Sequence, residues 1–140
     1  MTLDEHRDWL WGLLARRPCT RQEAVNRLLK RGLDEEDAEA LLKEALNAGL
    51  LDDGNYARLF AEGHEGWGND RIAYELGRRG VASEDARAAL EEIDEEARAR
   101  ELVAAWGRQG LETRKMIARL YRRGFTGKTI RRVEFDALNR

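Results

Sequence analysis

The amino-acid sequence predicts an all-α protein made of three tandem three-helix repeats, about nine helices in an elongated, curved array. Three observations lead there. The phrase Leu-x-x-Arg-Gly-apolar occurs three times, as Leu28-Leu29-Lys30-Arg31-Gly32-Leu33, Leu76-Gly77-Arg78-Arg79-Gly80-Val81 and Leu120-Tyr121-Arg122-Arg123-Gly124-Phe125. Its glycines lie 48 and 44 residues apart, a period of the kind that repeats of two or three helices show. No stretch has the strict alternation or β-branched richness of a strand.

Each element can be justified in turn. Leu10, Leu13 and Leu14 form the apolar stripe of a first helix. Thr20-Arg21-Gln22-Glu23 is a capping box that opens a second, in which Ala24, Val25 and Leu28 share one face because positions three and four apart do. Gly32 then fits a left-handed helix C-terminus, with Leu33 folding back on the last turn. The acids of Asp34 to Asp37 suit the start of a third helix carrying Ala38. The cycle repeats with Tyr56, Leu59 and Phe60, then Ile72, Ala73 and Leu76, then Ala86 behind Ser83 as an N-cap. It repeats again with Leu102, Val103 and Trp106, then Met116, Ile117 and Leu120 behind Thr113 as an N-cap, then Ile130.

The repeats divide the chain at 1–52, 53–96 and 97–140. A unit of some 45 residues is about the smallest that holds a core unaided, so neighbours must bury surface against each other. At about 20 Å per unit the array would reach roughly 60 Å. Cys19 is the single cysteine, which excludes an intramolecular disulfide and fits a reducing compartment. The charges preceding Trp9 and Trp11 are wrong for an export signal, and no apolar run approaches the ~18 residues of a membrane span. A soluble, cytoplasmic protein is expected. The net charge of −2 hides an asymmetry: the three thirds carry 8 basic and 11 acidic, 5 and 12, and 12 and 4 side chains, hence −3, −7 and +8.

Catalytic chemistry needs convergent groups, and the sequence offers few. His6 and His64 lack a cysteine or second histidine at ligand spacing. His64 reads as a solvated residue near the end of the fourth helix, and Asp52-Asp53 as an N-cap rather than a metal carboxylate pair. Cys19 reads as an inert helix-junction thiol despite nearby arginines. Gly63, Gly66 and Gly68 lack the Lys-Ser/Thr and the preceding strand of a phosphate loop. The chain is therefore expected to be no enzyme and to use no metal or cofactor.

The third repeat is where charge points to a partner. Lys115, Arg119 and Arg122 follow i, i+4, i+7 spacing on a face of the eighth helix away from Met116, Ile117 and Leu120. Arg123 ends that helix, and Lys128, Arg131 and Arg132 lie on the next. Only Glu112 and Glu134 flank the cluster, too few to neutralise it, so an anion-facing surface outweighs a merely solvated face. The repeated Arg31, Arg79 and Arg123 have a structural explanation at helix C-termini. Trp67, between two glycines, is a candidate exposed contact, and Trp106 a core residue.

Read together, Gly49-Leu50-Leu51-Asp52-Asp53, Tyr56-Ala57, Arg71-Ile72, Leu76 and Arg79-Gly80-Val81 resemble the signature of the RecX regulatory protein family, and the resemblance covers nearly the whole chain. It implies tandem three-helix repeats and a modulator of the RecA recombinase that binds the RecA filament on single-stranded DNA, lies along its groove, and limits recombination and coprotease activity without chemistry. Where the family commonly has an aromatic-apolar-basic run, this chain has Glu62-Gly63-His64-Glu65-Gly66, so that helix should end early and positive charge concentrate in repeat 3. The expected partner-binding set is Lys115, Arg119, Arg122, Arg123, Lys128, Arg131 and Arg132, with Arg71 and Arg78 from the middle unit. The rival is a direct DNA-binding protein whose eighth and ninth helices act as a helix-turn-helix, with Arg131 and Arg132 on the duplex. A monomer is expected, since a groove-binding rod gains nothing from closure. Alanine in place of Gly80 should destabilise the fold by roughly 1 kcal/mol or more if its φ is positive, as read from urea denaturation.

Overall fold

The computed structural model describes residues 1–138, and among the described residues every regular element is a helix. There are nine: α1 (Leu3–Arg16), α2 (Arg21–Lys30), α3 (Glu35–Asn47), α4 (Asp53–Gly63), α5 (Asn69–Arg78), α6 (Ser83–Glu91), α7 (Glu95–Arg108), α8 (Thr113–Arg122) and α9 (Gly127–Leu138). They fall into three units of three, and each unit has its own apolar cluster. Leu10, Leu28, Leu41 and Leu42 centre the first, Ala57, Ala61, Ile72 and Leu76 the second, Trp106, Leu120, Phe125 and Ile130 the third. No helix is long and apolar enough to cross a membrane among the described residues.

The repeated phrase sets the local geometry of each unit. Leu28, Leu76 and Leu120 are fully buried, and Gly32, Gly80 and Gly124 hold φ of 100°, 84° and 82°. In that conformation the amides of Leu33, Val81 and Phe125 donate to the carbonyls of Leu28, Leu76 and Leu120 at 3.2, 3.0 and 3.1 Å. This closes each second helix and tucks the following apolar residue onto its last turn. Thr20 and Glu23 form the expected reciprocal capping box, and the Asp34 and Asp52 carboxylates cap α3 and α4.

Some expectations are corrected. Ser83 and Thr113 are the first helical residues of α6 and α8; the caps are Ala82 and Glu112, neither with a side-chain hydrogen bond, because one residue separates glycine from cap in each unit and alanine has no acceptor to offer at that place, whereas the short Asp34 carboxylate does. Leu59 is exposed: α4 turns Ala57 and Ala61 inward and leaves Tyr56 and Phe60 half-buried, since the small alanines let α4 lie close to α6. α4 does end early, at Gly63.

Neighbouring units meet head to tail. The N-terminus of α2 faces the turn after α5, where the Thr20 hydroxyl donates to the Arg79 carbonyl at 2.7 Å and Asp53 accepts the Arg21 amide at 2.9 Å. One unit later the N-terminus of α5 faces the turn after α8: the Gly68 amide donates to the Arg123 carbonyl at 2.8 Å and the Asp70 amide to the Gly124 carbonyl at 3.0 Å. At the second junction free amides of one helix start thus meet free carbonyls of the next unit's helix end, and at the first the Thr20 hydroxyl takes the amide's place as donor. The approach is close enough to demand glycine. A β-carbon on Gly68 would lie 2.1 Å from Phe125 Cα, and one on Gly124 would lie 2.7 Å from the Arg71 backbone nitrogen.

Glu95 fastens this second junction. Its buried carboxylate accepts the amides of Asn69 (2.7 Å) and Thr126 (3.1 Å) and the hydroxyls of Thr126 and Thr129 (both 2.6 Å). Burial alone would push its pKa up; those hydroxyls and amides, with two helix N-termini behind them, more than offset that and hold it below the ordinary carboxylate value. A depressed folded pKa adds stability that is fully present above the unfolded value and is lost as pH falls through the folded one.

Two measurements follow from this geometry. Gly32→Ala meets no neighbouring atom and carries only the backbone strain, about 1 kcal/mol, whereas Gly124→Ala also pushes on Arg71 and is expected to cost roughly 3 kcal/mol in urea unfolding; equal costs would mean the junction contributes nothing. Glu95→Ala strands buried donors and is expected to cost on the order of 3 kcal/mol, with the difference from the parent shrinking as the pH of the denaturation series is taken below the carboxylate range.

Candidate partner-binding face

The repeated arginines turn inward onto rings of their own units. Arg31 lies 4.2 Å from the centre of Trp9, Arg79 4.7 Å from Phe60 and Arg123 5.3 Å from Trp106, each pairing the end of a second helix with an aromatic of the first. Arg79 also donates to the Glu75 carboxylate at 2.8 Å, and that hydrogen bond holds the Glu75 carboxyl below its ordinary range. Arg123 donates to the Gly66 carbonyl at 3.2 Å across the second junction. Arg119 shares the Trp106 ring at 5.4 Å.

In unit 2 the rings continue as a ladder. Tyr56 stacks on Phe60, Phe60 meets His64 in a tilted contact at 4.1 Å, His64 stacks on Trp67 at 4.2 Å, and the Arg71 guanidinium lies over Trp67 at 4.0 Å. His64 Nδ1 is 2.7 Å from the Phe60 carbonyl, and the His64 carbonyl accepts from Arg98. The solvated reading of His64 is therefore wrong: the half-buried imidazole lies against the Phe60 and Trp67 rings just past the end of α4. Trp67 is likewise half-buried rather than an exposed contact.

What remains outward is a smaller set than the sequence offered. Lys115 and Arg122 are exposed on α8, and Lys128, Arg131 and Arg132 on α9; none of the five forms an ion pair among the described residues. The three on α9 line one groove with Arg100, Glu96, Asp136 and the exposed ring of Phe135. Arg100 is occupied there by Asp136 and Glu96, which raise its pKa through hydrogen bonding and charge. Arg71 and Arg78 are exposed on α5, the first over Trp67 and the second 3.5 Å from Glu75. Because α5 and α8 run end to end, their outward cations lie on consecutive helices, whereas Arg119 and Arg123 serve packing.

Sequence reasoning missed Glu95, Thr126, Thr129 and Arg98, which position this face by fixing unit 3 on unit 2. A signal was present in the acid at the same place in both later units, Asp53 and Glu95, each the first residue of its helix. His6 is buried and 3.4 Å from Arg31 Nε, and Cys19 is buried. No three His, Cys, Asp or Glu side chains are placed to hold a metal among the described residues.

Comparison with known proteins agrees with the architecture. The family model described as RecX, second three-helix domain, matches residues 52–90. Regulatory protein RecX of Stenotrophomonas maltophilia (strain R551-3) is 37% identical over 130 residues, covering 86% of this chain and 80% of that protein. Regulatory protein RecX of Halorhodospira halophila is 37% identical over 137 residues, covering 89% and 83%. The crystal structure of RecX from Lactobacillus salivarius superposes with a TM-score of 0.82 over 98% of this chain and 96% of that one; at 18% identity this likeness speaks to the fold. Identity sustained over most of both chains, on the same nine-helix frame, makes this protein a member of the RecX family of regulatory proteins.

Proposed function

We propose that the chain is a non-enzymatic regulator that binds the RecA filament on single-stranded DNA and lowers its recombinase, ATPase and coprotease activities. The observation that carries the reading is membership of the RecX family together with an outward cationic face, Lys115, Arg122, Lys128, Arg131 and Arg132, on an otherwise acidic chain. Such a face attracts phosphates or an acidic protein groove, and the acidic first two units keep the molecule from coating bare duplex indiscriminately. The action is mechanical: a body laid across adjacent filament subunits obstructs strand entry or strains a subunit interface, and no bond need be made or broken.

The test is the DNA-dependent ATPase of RecA with excess protein. Turnover is expected to fall, and unchanged turnover would overturn the reading. Arg122→Glu, Arg131→Glu and Arg132→Glu combined should weaken filament binding about tenfold or more with helicity unchanged by circular dichroism, while Arg123, being engaged with Trp106 and Gly66, should be left in place. If instead the α8–α9 pair reads duplex DNA directly, binding without RecA will be sequence-selective and its log K will fall by about 0.9 per neutralised phosphate per log unit of salt.

A further inference from the structure

In each junction a carboxylate at the start of a unit's first helix reaches the first amide of the preceding unit's middle helix, and the two differ in what stands behind that carboxylate. Two and five residues beyond the repeated glycine, unit 3 has Thr126 and Thr129 and unit 2 has Ala82 and Asp85. In unit 3 the threonine hydroxyls hold the carboxylate that reaches across to the preceding unit, Glu95. In unit 2 the matching carboxylate, Asp53, reaches across to the Arg21 amide but has no hydroxyl behind it and a second acid in its place.

Crowding at this point is visible in the geometry. A β-carbon on Gly54 would sit 3.4 Å from Asp52 Oδ1 and 3.6 Å from Asp85 Oδ1, so three carboxylates gather at the start of α4. The groups that face Asp53 are Arg21 from α2, Glu39 from α3, Asp52 from its own helix cap and Asp85 from α6. The Arg21 guanidinium is paired with Glu39 at 3.0 Å, so Asp53 is hydrogen-bonded by the Arg21 amide and feels the guanidinium charge only at a distance. Beside them a groove of about 700 Å³ separates Leu42 and Leu46 of unit 1 from Gly80 and Ala82 of unit 2.

We propose that the junction between units 1 and 2 is a hinge, latched by Asp53 on the start of α2 and loosened by the ionised Asp85, whereas units 2 and 3 move as one body. Desolvation first, then the Asp85 and Asp52 charges, push the Asp53 carboxyl above its ordinary value against the Arg21 amide, which pulls it down. A raised folded pKa means stability that is full below the unfolded value and lost as pH rises through the folded one. Glu95 has the opposite sign. Acidification therefore acts on the two junctions with opposite sign, favouring the first and weakening the second.

Spin-label distances decide the matter in the full chain, with Cys19→Ala to remove the native thiol and exposed Ala40, Ala88 and Ala118 labelled in pairs as cysteines. The 40–88 pair spans the first junction and the 88–118 pair the second. At neutral pH the 40–88 distribution is expected to be about twice as broad as the 88–118 one, and to narrow as the pH is lowered into the carboxylate range. Ala82→Thr with Asp85→Thr, which transplants the unit 3 arrangement, should narrow it at neutral pH and remove the pH response. Asp85→Asn, nearly isosteric, should narrow it in the same direction should the double variant fold poorly. Equal widths at the two junctions in the parent, or no narrowing in Asp85→Asn, would overturn the hinge.

Discussion

A peptide carbonyl turned outward by a left-handed glycine holds this molecule together. Gly80 and Gly124 end their helices in a conformation that L side chains rarely adopt, and the turn so formed presents carbonyls to donors at the start of the preceding unit's middle helix, the Thr20 hydroxyl at the first junction and the Gly68 and Asp70 amides at the second. One backbone device therefore closes a helix, buries an apolar residue beneath it and joins two units. The junctions are made by polar contacts, and the three apolar clusters of modest size remain separate.

The arginines divide by the same logic. Those at the end of the repeated phrase lie over rings of their own unit, where a guanidinium stacks and still reaches carbonyls or a carboxylate. Those one step away in the sequence point outward: Arg122 beside Arg123, Arg78 beside Arg79. Charge on the outer set is thus carried by a scaffold that other arginines help to stiffen, and the two roles sit on adjacent residues. The Glu95 carboxylate belongs to the scaffold as well, since two helix starts converge on it.

The fold was legible because its determinants are local. Leu28, Leu76 and Leu120 at fixed distance from a glycine specify stripe, stop and turn, and the capping box at Thr20 specifies a start. The site was legible only in outline. Net charge made unit 3 the candidate, and Lys115, Arg122, Lys128, Arg131 and Arg132 face outward, but nothing in spacing alone separates Arg122 from Arg123 or Lys115 from Arg119. That separation depends on where Trp106 and Gly66 lie in space, 17 and 57 residues away along the chain. His64 shows the same limit: its stacking partner Trp67 is three residues on, yet spacing alone does not show that the chain turns back to bring the two rings together.

Apolar clusters that never fuse have a consequence for how such a chain can change through descent. A substitution inside one cluster is answered within about 45 residues, and a whole module can be gained, lost or exchanged while its neighbours keep their packing, provided the new piece brings an outward carbonyl at one end and bare amides at the other. Inheritance can therefore act on this protein by the block, with chain length free to vary in steps while each block's interior stays as it was.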